Sequence, residues 1–227
     1  MTLLTGMQAS GHRLAHCMRR CKRHRSTILS QAASAPSTTQ QPVAEEDKPL
    51  RVSLVSLGCP KNTVDGEVIL GDLYRSGFTI TDVADEADAI VVNTCGFVED
   101  AKAESLDAII EAAQLKEEGK VKKVVVTGCL AQRYSEELAE QLPEADLVVG
   151  FQNYGGLAAS LRGLLGATPE VDFEEYQQRS RVQVGDATIP FRAEWDRHRL
   201  TPKHTAYLRV AEGCNHSCTF CAIPGFR

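Results

Sequence analysis

The strongest constraint on this chain is a pattern repeated between residues 50 and 165: a short apolar run, a turn, then a stretch of helix length. RVSLVSL (51–57), AIVVN (89–93), KVVVT (123–127) and DLVVG (146–150) are β-branched runs of strand length. Between them, apolar residues fall at helical spacing. Thr63 to Arg75 reads as a helix with Val64, Val68, Leu70 and Leu73 apolar and Gly77 as its stop. Glu99 to Lys116 sets Leu106, Ile109, Ile110 and Ala113 on one face, and Gly119 ends it. Further helices are predicted around Tyr134 to Gln141 and Tyr154 to Leu165. Alternation of this kind predicts an α/β fold, an open parallel sheet with flanking helices.

That order gives three cysteines one topological address. Cys59, Cys95 and Cys129 follow successive strands in SLGC, VNTC and VTGC. Loops after the carboxyl ends of parallel strands gather at one rim, where ligands bind. Cysteines 36 and 34 positions apart are thus predicted to converge. Gly58 and Gly128 directly before two of them allow close backbone approach. A single free cysteine is usually a small buried hydrophobe; three at equivalent strand ends point to a shared metal cluster. Asn62, Asn93 and Gln132 belong to the same rim, where they bond cluster sulfurs or hold the loops, the alternative being plain turn and cap chemistry. Asp65 and Glu67 read as first-turn helix residues favoured by the macrodipole, with no catalytic role.

A second group is contiguous. Cys214, Cys218 and Cys221 form C-x-x-x-C-x-x-C within EGCNHSCTFCAIPGFR, after a predicted strand at 204–213. Closed zinc sites and ordinary cubane clusters take four ligands, and this loop offers three. One reading is a four-iron cluster with one iron open to a small molecule. The other is a zinc knuckle of Cys218 and Cys221 with His216 or a distant ligand. Trp195, His198 and His204 read as packing or surface residues.

Charge is unevenly spread. The first 44 residues carry six Arg or Lys and no acid; from residue 45 on, nineteen basic residues face thirty acidic ones, a body near −11. That is a poor general nucleic-acid binder, so direct RNA binding is not expected. The acid-free, Ser- and Ala-rich N-terminus reads as an organellar transit peptide, for plastid or mitochondrion, the alternative being a plain extension of a cytoplasmic protein. Cys17 and Cys21 inside it are incidental. No apolar run is long enough to cross a membrane. The six remaining cysteines, with no secretory signal ahead of them, suit metal or redox use over disulfides.

LGCPKN, NTCGFVEDAKAES and VTGCLAQRY, followed by TPKHTAYLRVAEGCNHSCTFCAIPGFR, resemble the radical S-adenosylmethionine (SAM) methylthiotransferases, and among them the RimO type. The tRNA-modifying sister group usually reads GCQMN where this chain has GCPKN. The resemblance covers residues 50–165 and 200–227. It implies two 4Fe-4S clusters. Cys214, Cys218 and Cys221 would hold the one that binds SAM and yields a 5′-deoxyadenosyl radical. Cys59, Cys95 and Cys129 would hold an auxiliary cluster whose open iron carries the sulfur to be transferred. The implied substrate is an aspartate β-carbon on a small-subunit ribosomal protein, and the implied partner a one-electron reductant such as flavodoxin or ferredoxin.

The expected organisation is a transit segment at 1–48, the methylthiotransferase N-terminal domain at 49–165, a linker at 166–201 with Pro169 and Pro190, and at 202–227 only the first strand and cluster loop of a radical-SAM (β/α) barrel. The sequence stops six residues past Cys221, and a full barrel takes about 200 residues or more. The reading is therefore an N-terminal fragment that does not turn over alone. Two alternatives remain: a tRNA adenosine methylthiotransferase, and a non-catalytic iron–sulfur module.

Overall fold

The structure, a computed structural model, describes residues 49–167, 181–187 and 197–227. The transit segment, Pro169, Pro190, Trp195 and much of the expected linker lie outside them.

The strands are β1 (Arg51–Ser56), β2 (Thr79–Ile80), β3 (Ala89–Thr94), β4 (Lys123–Gly128), β5 (Leu147–Val149) and β6 (Val182–Gln183). The helices are α1 (Pro60–Arg75), α2 (Glu99–Glu117), α3 (Cys129–Arg133), α4 (Ser135–Gln141), α5 (Leu157–Leu164) and α6 (Ile223–Phe226). All strand pairs are parallel, in the order β2-β1-β3-β4-β5-β6. The predicted α/β architecture is thus present. The central strands show why: every residue of β3 is buried, as are the last five of β4. Strands covered on both faces read as continuous apolar runs.

Two cores flank the sheet. Ile69 and Leu73 of α1 and Leu157 and Leu161 of α5 pack with Val52, Val91 and Val125 on one face. Ile109 and Ala112 of α2, Leu130 of α3 and Leu138 of α4 pack with Ile90, Val92 and Val126 on the other. The strand order reverses at β1: the chain moves outward to β2, then returns past β1 to β3. The crevice between the carboxyl ends of β1 and β3 is therefore the topological switch point, where open α/β sheets bind ligands.

Several elements depart from the prediction. Helix α1 begins at Pro60, three residues before Thr63, with Cys59 as its N-cap. Proline is suited to a first turn, where its missing N–H has no intrahelical partner. The predicted turn GCLAQ closes into α3 directly off β4. The two-residue edge strands β2 and β6 carry no apolar run that sequence could show, and β6 lies within the stretch read as linker. The predicted strand at 204–213 is irregular, and no described strand pairs with it. Side chains take some of its carbonyls instead: Arg197 donates to Tyr207 O at 3.0 Å, and Lys61 Nζ donates to Ala211 O. Of the expected barrel, no strand forms among the described residues.

Candidate metal centre

The three strand-end cysteines stand on one rim, Cys59 and Cys95 at the switch point and Cys129 one strand over, after β4. Cys59 caps α1 after β1, Cys95 follows β3, and Cys129 opens α3 after β4. Neighbouring strands in such a sheet are about 4.8 Å apart, so the fold brings together loops remote in sequence. Glycines set the closeness. Gly58 has φ +88°, and a Cβ there would stand 2.6 Å from Cys95 Cβ and 2.7 Å from its Sγ. Gly128 has φ +95°, and a Cβ there would meet Thr94 N at 2.6 Å and Asn93 Oδ1 at 2.7 Å.

The loops are fastened by polar contacts. Ser105 of α2 is fully buried; its Oγ accepts from Cys95 N at 2.9 Å and donates to Ala101 O at 2.8 Å. Asn62 Nδ2 donates to Leu57 O at 2.7 Å and to the carbonyls of Asn93 and Thr94 at 3.2 Å, and Asn93 Nδ2 donates back to Asn62 O at 2.8 Å. Gln132 accepts from Phe151 N at 3.0 Å and donates to Gly185 O at 2.8 Å. These three residues therefore hold the loops of the rim.

Cys95 and Cys129 are buried, and Cys59 is exposed. Burial pushes the Cys129 thiol up to about 11, against the pull of the Arg227 cation. Arg227 Nη1 donates to Cys129 Sγ at 3.3 Å. All six described cysteines are free. Among the described residues no three His, Cys, Asp or Glu side chains gather around a single-ion position. A polynuclear group asks for something else, because each thiolate takes a different iron. Three thiols on a glycine-opened rim supply the soft donor type that an iron–sulfur cluster takes.

The contiguous loop is different. Cys214 and Cys218 are exposed and Cys221 is partly so, with Cys221 N donating to Cys218 O at 3.2 Å. His216, His198 and His204 are exposed.

Asp65 and Glu67 correct the sequence reading. With α1 starting at Pro60 they lie in its second turn, and both are buried, 1% and 0% exposed. Glu67 Oε2 accepts from Arg197 Nε at 3.0 Å and also from Nη2, while its Oε1 accepts from Leu200 N at 3.0 Å. Asp65 accepts from Arg209 Nη1 at 2.6 Å and from Arg227 Nη2. Lys61 pairs with Glu212 at 3.2 Å. One helix thus carries a row of ion pairs that fastens residues 197–227 beside the rim. Burial lifts the Asp65 carboxyl above its ordinary value, with Arg227 and Arg209 opposing. Charges on one helix and arginines 130 to 162 positions later gave the sequence no signal to join them.

Residues 51–150 match the family described as Uncharacterized protein family UPF0004. A protein of Clostridioides difficile described as ribosomal protein uS12 methylthiotransferase RimO is 44% identical over 178 residues, 78% of this chain and 38% of that relative. Its namesake in Geobacter sulfurreducens is 43% identical over 178 residues, 78% of this chain and 37% of the relative. That of Symbiobacterium thermophilum is 44% identical over 193 residues, 84% of this chain and 37% of the relative. The chain therefore spans well under half the length of these curated relatives.

Proposed function

We propose, for a chain that belongs with the RimO-type methylthiotransferases, that it supplies the sulfur-carrying part of an enzyme that adds a methylthio group to an aspartate β-carbon of a small-subunit ribosomal protein. The observation that carries this reading is that Cys59, Cys95 and Cys129 follow β1, β3 and β4 at the carboxyl rim of one parallel sheet, upstream of a second trio at Cys214, Cys218 and Cys221. Each trio would hold one 4Fe-4S cluster, the second also binding SAM. When bound, these groups supply the one-electron chemistry that breaks an unactivated carbon–hydrogen bond.

The chain's own residues do the rest. Ser105 fixes the Cys95 backbone, and Asn62 and Asn93 lock the loops after β1 and β3 to each other. Gly58 leaves the space beside Cys95 Sγ that any side chain would fill. Because the Cys129 thiol holds its proton at neutral pH, loading releases that proton. The buried ion pairs of α1 keep the segment bearing the second trio close to the first. A one-electron donor of flavodoxin or ferredoxin type, and an organellar destination for the acid-free N-terminus, complete the proposal.

Anaerobic reconstitution with iron and sulfide tests it. The expected result is two clusters' worth of iron and sulfide, with Cys59, Cys95 and Cys129→Ala removing one and Cys214, Cys218 and Cys221→Ala the other. Zinc uptake, no more than one cluster in the parent, or a triple variant that loses both clusters or neither, would sink the reading. With a full-length enzyme, mass spectrometry should find the mass gain on the ribosomal protein; a gain on anticodon-loop adenosine would assign the substrate to tRNA.

A further inference from the structure

Beside the three strand-end thiols lies one cation that loop anchoring alone does not explain. The Arg227 side chain is 6% exposed. Its guanidinium lies 4.8 Å from the Phe151 ring centroid, Nη2 is held by the Asp65 carboxylate, and Nη1 points at Cys129 Sγ at 3.3 Å. Phe151 is itself fully buried and braced edge-on by Tyr154, ring centroids 5.6 Å apart. Carboxylate, aromatic face and sulfur thus fix the fork from three sides. A planar guanidinium can serve the carboxylate and the sulfur at once from two different nitrogens, which an ammonium cannot reproduce.

A cluster ligand sulfur that accepts a hydrogen bond gives up electron density, and a fixed cation stabilises whichever oxidation state carries more negative charge. Reduction adds one electron and therefore one negative charge. A donor to a ligand sulfur then favours the reduced form and moves the potential upward. The guanidinium stays protonated throughout, so no proton accompanies the electron.

We propose that Arg227, pinned by Asp65, sets the reduction potential of the cluster held by Cys59, Cys95 and Cys129 through its bond to Cys129 Sγ. This rests on the cluster assignment made above. Arg227 is here a positioning and tuning residue. It binds no iron.

The test uses the full chain with Cys214, Cys218 and Cys221→Ala, so that one cluster remains, loaded anaerobically and titrated with dithionite while its spectrum is followed. In that background Arg227→Gln should shift the one-electron equilibrium at least tenfold toward the oxidised form, a fall of at least 59 mV. Arg227→Lys, which keeps the charge but loses the two-nitrogen bridge, should fall between. If Arg227→Gln loads iron and sulfide like its parent but shifts by less than tenfold, or upward, the tuning role is overturned and the cluster assignment stands. If the parent takes up no cluster, the assignment itself fails, and this proposal with it. Should Arg227→Gln not fold, Arg227→Lys carries the test: a downward shift supports the role, and an unchanged or higher potential overturns it.

Discussion

The two cysteine trios solve the same ligand problem in opposite ways. Cys59, Cys95 and Cys129 are far apart in sequence and are delivered by three strand ends, with two of the three buried. Cys214, Cys218 and Cys221 are eight residues from first to last, and two of the three are exposed. The first trio depends on the fold to exist. The second depends only on local spacing. Damage to the sheet should therefore reach the first trio before the second, and damage to the loop should leave the sheet intact.

The largest effect is expected where the rim has no room. Gly128→Ala adds a methyl group 2.6 Å from Thr94 N at a φ of +95°, combining left-handed backbone strain with overpacking. Together these should cost about 3 kcal/mol. Chemical denaturation should show the loss, and iron counting should show the first trio emptied. If stability is unchanged, the close approach of β3 and β4 at the rim is wrong.

Next comes the row of ion pairs that joins the two regions. Glu67 is fully buried while Arg197 is about one quarter exposed, so Glu67→Gln should cost about 3 kcal/mol, the lower end for breaking a buried pair. Hydrogen exchange should accelerate over residues 197–212 and stay slow in β3 and β4. Acceleration throughout the sheet would mean that Glu67 supports the core and not the joint.

How much of this could be read from the amino acids follows from the range of each interaction. The strands β3, β4 and β5 are legible because a buried strand writes its own apolar run, and the half-buried β1 because it keeps Val52, Leu54 and Val55. The rim trio is legible because topology maps strand ends onto one edge. The short strands β2 and β6 are held by their neighbours' backbone groups, which leave no mark on side-chain pattern. Asp65 and Glu67 mislead because their nature is set by partners 130 to 162 positions away; helix position alone suggests a solvated acid. The strand expected at 204–213 has β-rich sequence, but a strand needs a neighbour, and side chains from α1 and Arg197 take carbonyls there instead.

A smaller effect is expected at the opposite end of the sheet from the rim. Asp88 accepts from Arg51 N at 2.8 Å and pairs with Lys122 at 2.9 Å. Burial would raise its carboxyl, but these partners outweigh it and hold the group below 3.8. A depressed carboxylate stabilises the fold above its unfolded value and loses that contribution as pH falls through the folded one. Asp88→Asn should thus cost about 1 kcal/mol at pH 7, and the gap from wild type should close below pH 3.8. The apo rim should keep its geometry, since the change lies at the amino ends of β1 and β3. A variant that also lost the first trio's iron would show the two ends of the sheet to be coupled.

The smallest effect belongs to the loop and completes the contrast. Phe220 is 91% exposed, between Cys218 and Cys221, and a Cβ on Gly225 would meet nothing within 4 Å. Phe220→Ser and Gly225→Ala should each leave stability within about 0.5 kcal/mol of wild type. Thiol labelling of the metal-free protein sharpens the same point: Cys214 and Cys218 should react with iodoacetamide quickly, Cys59 with them, and Cys95 and Cys129 slowly because they are buried. Cys59 is the informative one, since it belongs to the rim by topology but to the surface by exposure. If Cys59 reacts as slowly as Cys95, the rim is already closed before metal arrives. If it reacts as the loop does, the first trio is two preset ligands and one that must be recruited, and the contrast with the second trio is one of degree at that single position.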